Sequence, residues 1–340
     1  MWGEAAVNGR SPTAFWRARL GAVRTRRLLE AHLVVVLVCS VVAVSTLLVS
    51  YRHTQRAAGT LADRQAPAVQ GLAATRLAVL RAHWEVQNLV DLGLVDVAGA
   101  GETYRAHLSA ADQGLSRIGD RTDQDLGTVN GLLASYDNSI TSAMTLYHDQ
   151  SVMREHKQEE ARSLLLRARV GLVPRLDQLQ RQELDRASAT ATMGGAQRGG
   201  WWLAEAALLA LALTLLSALF VLRDRCGRDW NPYLLVALVL TVLFAVVPLW
   251  AVFSTQHRLD AVRADLREIT EASRMSGFGS RLVRQQEGLT GKSEEVRGDL
   301  AVAARTGRVY QGAVIGGLLI VVLPAVGLSL RLGNDYWRRR

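Results

Sequence analysis

Gly291-Lys292-Ser293 is the stretch of this 340-residue chain that comes nearest to catalytic machinery. A phosphate-binding loop also needs glycine five residues upstream, so that backbone amides can curl around phosphate, and that position is Gln286. The match fails there. His148 and His156 stand eight apart without an HExxH, and the other histidines are scattered, whereas a metal site needs three or four converging ligands. No Gly-x-Ser-x-Gly elbow and no Cys–His pairing supplies a nucleophile. The pattern implies no catalytic residue, no metal and no cofactor.

The remaining chemistry is recognition. Arg76, Arg81, His83, Gln87 and Asn88 interrupt or flank an apolar helical face. They would suit an anionic small ligand such as an amino-acid carboxylate, because arginine binds carboxylates bidentately. The plain alternative is a solvated set of surface charges. A second candidate, for a protein partner, is the glycine-rich SGFGSRLVRQQEGLTGK at 276–292. Glu205 is the one acid inside an apolar run; pairing with nearby Arg198 or solvation by headgroups accounts for it more simply than a proton switch.

The elements that position these residues are apolar spans. Four runs, 31–51, 201–222, 230–256 and 309–330, approach or exceed the roughly 20 apolar residues that cross a ~30 Å hydrocarbon core. The mean hydropathy is only +0.10 because two long polar loops, 52–200 and 257–308, separate them. The first run leads into YRHTQR without a small-residue cleavage site, so it reads as an uncleaved anchor. Arginine sets orientation: the tail at 1–30, the turn at 223–229 and the tail at 331–340 together carry +8, against zero and +2 in the long loops. Both termini and the turn are therefore expected in the cytoplasm of a multi-pass plasma-membrane protein, with both loops outside. Tyr51, Trp201, Trp202, Trp250 and Tyr310 at outer ends, and Trp16, Trp230, Tyr233, Tyr336 and Trp337 at or near inner ends, fit the same frame. The pI near 10.2 is thus a topology signal and implies membrane lipid, with no nucleic acid. Cys39, in the first span, and Cys226, in the turn, cannot pair, so no disulfide braces the loops.

Loop 52–200 carries four amphipathic patterns. Val69, Leu72, Ala73, Leu77, Leu80 and Trp84 form one face after Pro67, which is expected to kink or restart the helix. Tyr104, Leu108, Ala111, Leu115 and Ile118 form the second. Leu126, Val129, Leu133, Tyr136, Ile140, Ala143 and Tyr147 make a coiled-coil-like seam, the clearest in the chain. Ala161, Leu165, Ala168, Leu172, Leu176 and Leu179 form the fourth, with a bend at Pro174. The fold class is all-α: four transmembrane helices, an extracytoplasmic four-helix bundle, and a smaller extracytoplasmic helical hairpin at 257–308. In that hairpin Leu259, Val262, Leu266, Ile269 and Ala272 extend the third span, glycines 277, 279, 288 and 291 make an irregular top, and Val296, Leu300 and Ala303 return. Gly312 and Gly316 form a GxxxG in the last span, for packing within the monomer or in a homodimer.

With one span, a helical outer bundle and a second span, residues 15–225 resemble the sensor portion of bacterial chemoreceptors and histidine kinases. The chain departs from them after Leu222, where only about ten inner residues follow and no output domain is present. Across all 340 residues, topology and loop sizes resemble the GlnX family, the membrane component of an actinobacterial amino-acid-sensing module. That resemblance implies an extracytoplasmic solute-binding protein docking on the bundle and a cytoplasmic Ser/Thr kinase reading the inner face. Carried onto this sequence, the inner contact would be Arg223, Arg225, Arg228 and Asp229 with both basic tails. The expected function is a non-enzymatic transmembrane signal transducer. A scaffold assembling envelope complexes, or a transporter accessory subunit, are the alternative classes.

Overall fold

The computed structural model describes residues 25–93, 101–192, 194–226, 232–274, 280–305 and 307–332. Every regular element among them is a helix. In chain order these are α1 (Thr25–Thr60), a π-turn (Leu61–Gln65), α2 (Ala66–Asp91), α3 (Glu102–Gly119), α4 (Gly127–Thr145) and α5 (Ser151–Leu166). Then come α6 (Leu172–Ala191), α7 (Gly195–Cys226), α8 (Pro232–Arg274), α9 (Ser280–Arg305) and α10 (Gly307–Leu332). The chain divides into two compact units, one from Met1–His53, Gly194–Ala251 and Arg308–Arg340, the other from Thr54–Met193 and Val252–Gly307.

The first unit is apolar inside and out. Leu47, Leu211, Leu215, Ala237 and Ile320 are fully buried, while Val34, Leu209 and Leu318 are 60%, 63% and 66% exposed. Water would penalise that outer surface; hydrocarbon does not. Among the described residues three helices are long and apolar enough to cross a membrane: Glu30–Asp91, Gln197–Val221 and Pro232–Arg274. The fourth expected span lies in α10, whose apolar stretch among the described residues is the shorter Val314–Gly327. By length and composition this is a membrane protein. Its close packing uses glycine, although the expected Gly312–Gly316 pair is only half engaged. A Cβ at Gly312 would meet nothing, whereas one at Gly316 would touch Phe244 at 3.4 Å. At Gly317 it would come within 2.7 Å of Val44 Cγ1, so the tight approach falls one residue past the motif.

The second unit is built around α2. Helical bonding runs from Glu30 to Asp91 without a break, 62 residues in all. Pro67 sits in the first turn of α2, where its missing N–H removes nothing, and the π-turn absorbs the change of register: Ala66 N–H donates to Leu61 O, five residues back. The sequence-read face splits in two here. Ala73 and Leu77, with Leu80 and Trp84 against them, pack on Ile269, Leu282 and Leu289 of α8 and α9. A second stripe, Ala68, Leu72, Val79, Ala82 and Val86, faces the bundle core. One helix thus belongs to two cores.

The bundle differs from four unbroken helices. The fourth pattern, continuous in sequence, is cut at 167–171 into α5 and α6; Arg169 takes φ +69°, and Gly171 N–H donates to Arg167 O at 2.7 Å. A Cβ at Gly171 would strike three backbone atoms within 2.9 Å, so only glycine closes this turn. Pro174 falls in the first turn of α6, where it starts the helix and does not bend it. The seam of α4 is as the spacing implied from Leu126 to Ala143, with Leu126, Val129, Leu133, Tyr136, Ile140 and Ala143 all buried, but Tyr147 falls past the end of the helix and is only half-buried. Gly288 and Gly291 lie within α9 and do not interrupt it; Gly277 and Gly279 lie outside the described residues.

Candidate functional site

Where the hairpin helices meet the bundle, apolar side chains are joined by a buried polar network. Arg76 on α2 is 5% exposed. Its Nε lies 2.7 Å from Asp177 Oδ1 on α6, and its Nη1 donates to the carbonyl of Ser273 on α8. Burial pushes this guanidinium down from its ordinary value, and Asp177 beside it pushes back up. Behind the pair, Gln180 Nε2 donates to Thr270 Oγ1 at 3.3 Å, and Ser273 Oγ donates to Gln180 Oε1 at 3.2 Å. All three side chains are buried. One turn further along α2, Arg81 Nη2 donates to Leu282 O at 2.8 Å and Nη1 donates to Gln286 Oε1, both on α9.

Local sequence accounts for each part. Arg76 and Arg81, five residues and about 140° apart around α2, bracket from either side the stripe that carries Ala73 and Leu77. Thr270 Oγ1 donates to the Leu266 carbonyl of its own helix, which leaves its oxygen free to accept from Gln180, and the Ser273 hydroxyl shares its one proton between the Thr270 carbonyl and Gln180 Oε1. α6 runs antiparallel to α2, since Arg76 meets Asp177 while Gln65 Nε2 donates to Thr190 Oγ1 at 2.9 Å.

The five residues read as a ligand set do not converge. Arg76 and Arg81 lie on the seam with internal partners. His83 lies inside the bundle, its Nδ1 3.2 Å from Tyr136 Oη and its ring edge-on to the tyrosine. Burial, and secondarily Arg162, pushes the His83 pKa down to about 4, so the ring is neutral at physiological pH. Gln87 and Asn88 are half-buried beyond it. Arg223 is exposed near the end of α7, which also contains Arg225; Arg228 and Asp229 lie outside the described residues. Lys292 lies inside α9 and pairs with Glu268 of α8, so the Gly-Lys-Ser tripeptide forms no loop.

Asp177, Ser273 and Gln180 were missed by sequence reading. The partners are separated by 90 residues or more, and no local spacing marks them. A sharper signal was present in Asp177: it sits beside the apolar positions Leu176 and Leu179, where an acid needs a buried partner.

A second acid, Glu183, is more deeply buried and works the same way. Glu183 Oε1 accepts from Thr122 Oγ1 at 2.6 Å, Gln124 Nε2 at 3.0 Å and Arg186 Nη1 at 2.9 Å, which ties the α3–α4 turn to α6. No protein-family model matches the chain, and neither a curated protein nor a solved structure matches it at a significant level.

Proposed function

We propose that this chain is a non-enzymatic transmembrane signal transducer of the plasma membrane, with four spans, both termini cytoplasmic and both long loops outside. Arginine placement and the apolar stretch Val314–Gly327 support that topology. The observation that carries the functional reading is the Arg76 contact. It ties the 62-residue helix Glu30–Asp91 to the 43-residue helix Pro232–Arg274, and both start as membrane-length apolar segments. A ligand or a ligand-loaded solute-binding protein that favours one arrangement of this seam would bias two spans at once. A displacement counts as a signal only if the cytoplasmic partner, in this reading a Ser/Thr kinase, prefers one of the two states. Arg223, Arg225, Arg228 and Asp229 would present that difference inside.

Cross-linking in intact membranes of the native host, followed by pull-down and mass spectrometry, tests this. The expected catch is an extracytoplasmic binding protein together with a cytosolic kinase. Recovery of only the chain itself with envelope or division proteins would make it a scaffold, and recovery of a permease or ATPase would make it a transporter subunit.

A further inference from the structure

α2 is buried almost all round. Between Ala66 and Val90 a single residue, Ala74, is exposed. It lies in a groove of about 960 Å³ floored by α2 and walled by α3 and α9. The groove spans residues 62–81, about 28 Å of helix at 1.5 Å per residue. Its floor is the row Ala66, Gln70, Ala74 and Ala78, four residues apart, so little side chain obstructs entry.

The walls are cationic. Arg117 and Arg121 come from α3 and the turn after it, Arg297 from α9 and Arg81 from α2, with Asp63 as the one acid lining the groove. Gly71 opposes Ile118 and Thr75 opposes Gly114, so α3 runs antiparallel to α2 and sets Arg117 and Arg121 near the Gln70 level. Val69 shares a cluster with Val296, which brings Arg297 to the same level from the other wall. Arg81, which already donates to Leu282 O and Gln286 Oε1, and His107, whose pKa burial pushes down, follow further along. Among the described residues Arg117, Arg121 and Arg297 form no ion pair.

A second observation comes from the floor. Thr75 is 1% exposed and its Oγ1 has no hydrogen-bond partner; Gln70 Nε2 is also buried and unpartnered. Buried polar groups left this way carry a desolvation penalty that a bound polar ligand would relieve.

We propose that this groove binds an acidic peptide segment of another protein. Arg117, Arg121 and Arg297 on facing walls supply the charge, the groove's length of about 28 Å suits carboxylates spaced along a chain, and the floor hydroxyl and amide meet its backbone. A single small anion would occupy only a fraction of that length. The proposal names the partner chemistry for the input side of the transducer above and rests on that reading for its use, though not for binding itself.

The test uses the full chain in neutral-lipid nanodiscs and a fluorescein-labelled twelve-residue peptide of alternating Glu and Ala, read by anisotropy at 0.15 M salt, with Gln replacing Glu as reference. The acidic peptide is expected to bind at least tenfold more tightly than the Gln peptide. Arg117→Glu with Arg297→Glu should abolish that preference, while Arg167→Glu with Arg181→Glu, both exposed and outside the groove, should change it less than twofold. Thr75→Val should weaken binding severalfold without lowering the melting temperature, which separates ligand contact from a packing role. Equal loss in both reversed pairs would reduce the effect to general charge attraction and overturn the proposal. So would full displacement of the peptide by millimolar citrate or phosphate, which would make this a small-anion site. If the peptide fails while cross-linking still recovers a binding protein and a kinase, the transducer reading stands and the groove assignment falls.

Discussion

The bundle core and the seam share one helix, α2, and are built differently. The core gathers Leu115, Leu133, Tyr136, Ile140, Leu165 and Leu172 in a nearly continuous apolar cluster, with the His83–Tyr136 contact as its polar inclusion. The seam is divided into two smaller clusters and laced by Arg76, Asp177, Gln180, Thr270 and Ser273. Apolar burial is non-directional and scales with area, so the core sets how stable the unit is. Buried ionic and amide contacts add little net stability when complete and cost much when broken, so the seam sets which register α8 and α9 adopt.

The largest expected effect breaks the seam. Asp177→Ala strands the Arg76 guanidinium in a buried site and should cost about 3–5 kcal/mol. Hydrogen exchange should show protection lost at 259–270 first and largely kept at 129–143. Deprotection of both stretches together would mean that seam and core are one cooperative unit. The double change Arg76→Met with Asp177→Leu should recover most of the loss, because no charge is left unpaired.

Leu165→Ala addresses the core. Leu165 is fully buried, and its truncation should cost about 2–5 kcal/mol with protection falling across α4 and α5 together. Loss confined to α5 would show that the break at 167–171 isolates the fifth helix.

A pH series sharpens the contrast through His83. Its folded pKa, about 4, lies below the ordinary 6.5, so the unfolded chain binds the extra proton. Stability contributed by the neutral ring is complete above about 6.5 and falls by ~1.4 kcal/mol per pH unit down to about 4. His83→Gln, which keeps a hydrogen-bonding group toward Tyr136, should flatten that slope. An unchanged slope would place the acid sensitivity elsewhere.

The smallest effect is at the surface. Arg64 Nη2 and Asp123 Oδ1 are 2.7 Å apart but half or more exposed, so Arg64→Ala should cost under about 0.5 kcal/mol by thermal melting. A loss near that of Asp177→Ala would remove burial as the reason the seam pair matters.

Much of the helical pattern was legible because helix periodicity is local. The α4 stripe, the extension of α8 past the apolar run to Arg274, and the start of α3 near Tyr104 follow from spacing alone. Breaks were less legible. The fourth stripe keeps helical phase across a turn made by Arg169 and Gly171, since a short interruption can leave apolar positions nearly in register. Gly288 and Gly291 were read as breakers, yet an isolated glycine costs a helix only about 1 kcal/mol and packing of Leu289 and Val296 offsets that.

The candidate site shows the same division. Sequence alone determined that Arg76, Arg81 and His83 lie on one amphipathic helix, and that apolar runs of membrane length alternate with polar helical segments. Both follow from interactions within a few turns of helix. Only the tertiary structure decided that Arg76 faces Asp177, that His83 faces Tyr136, and that Arg117 and Arg297 approach one groove. Those pairings join residues 53 to 180 positions apart, and long-range packing leaves no periodic trace in the chain.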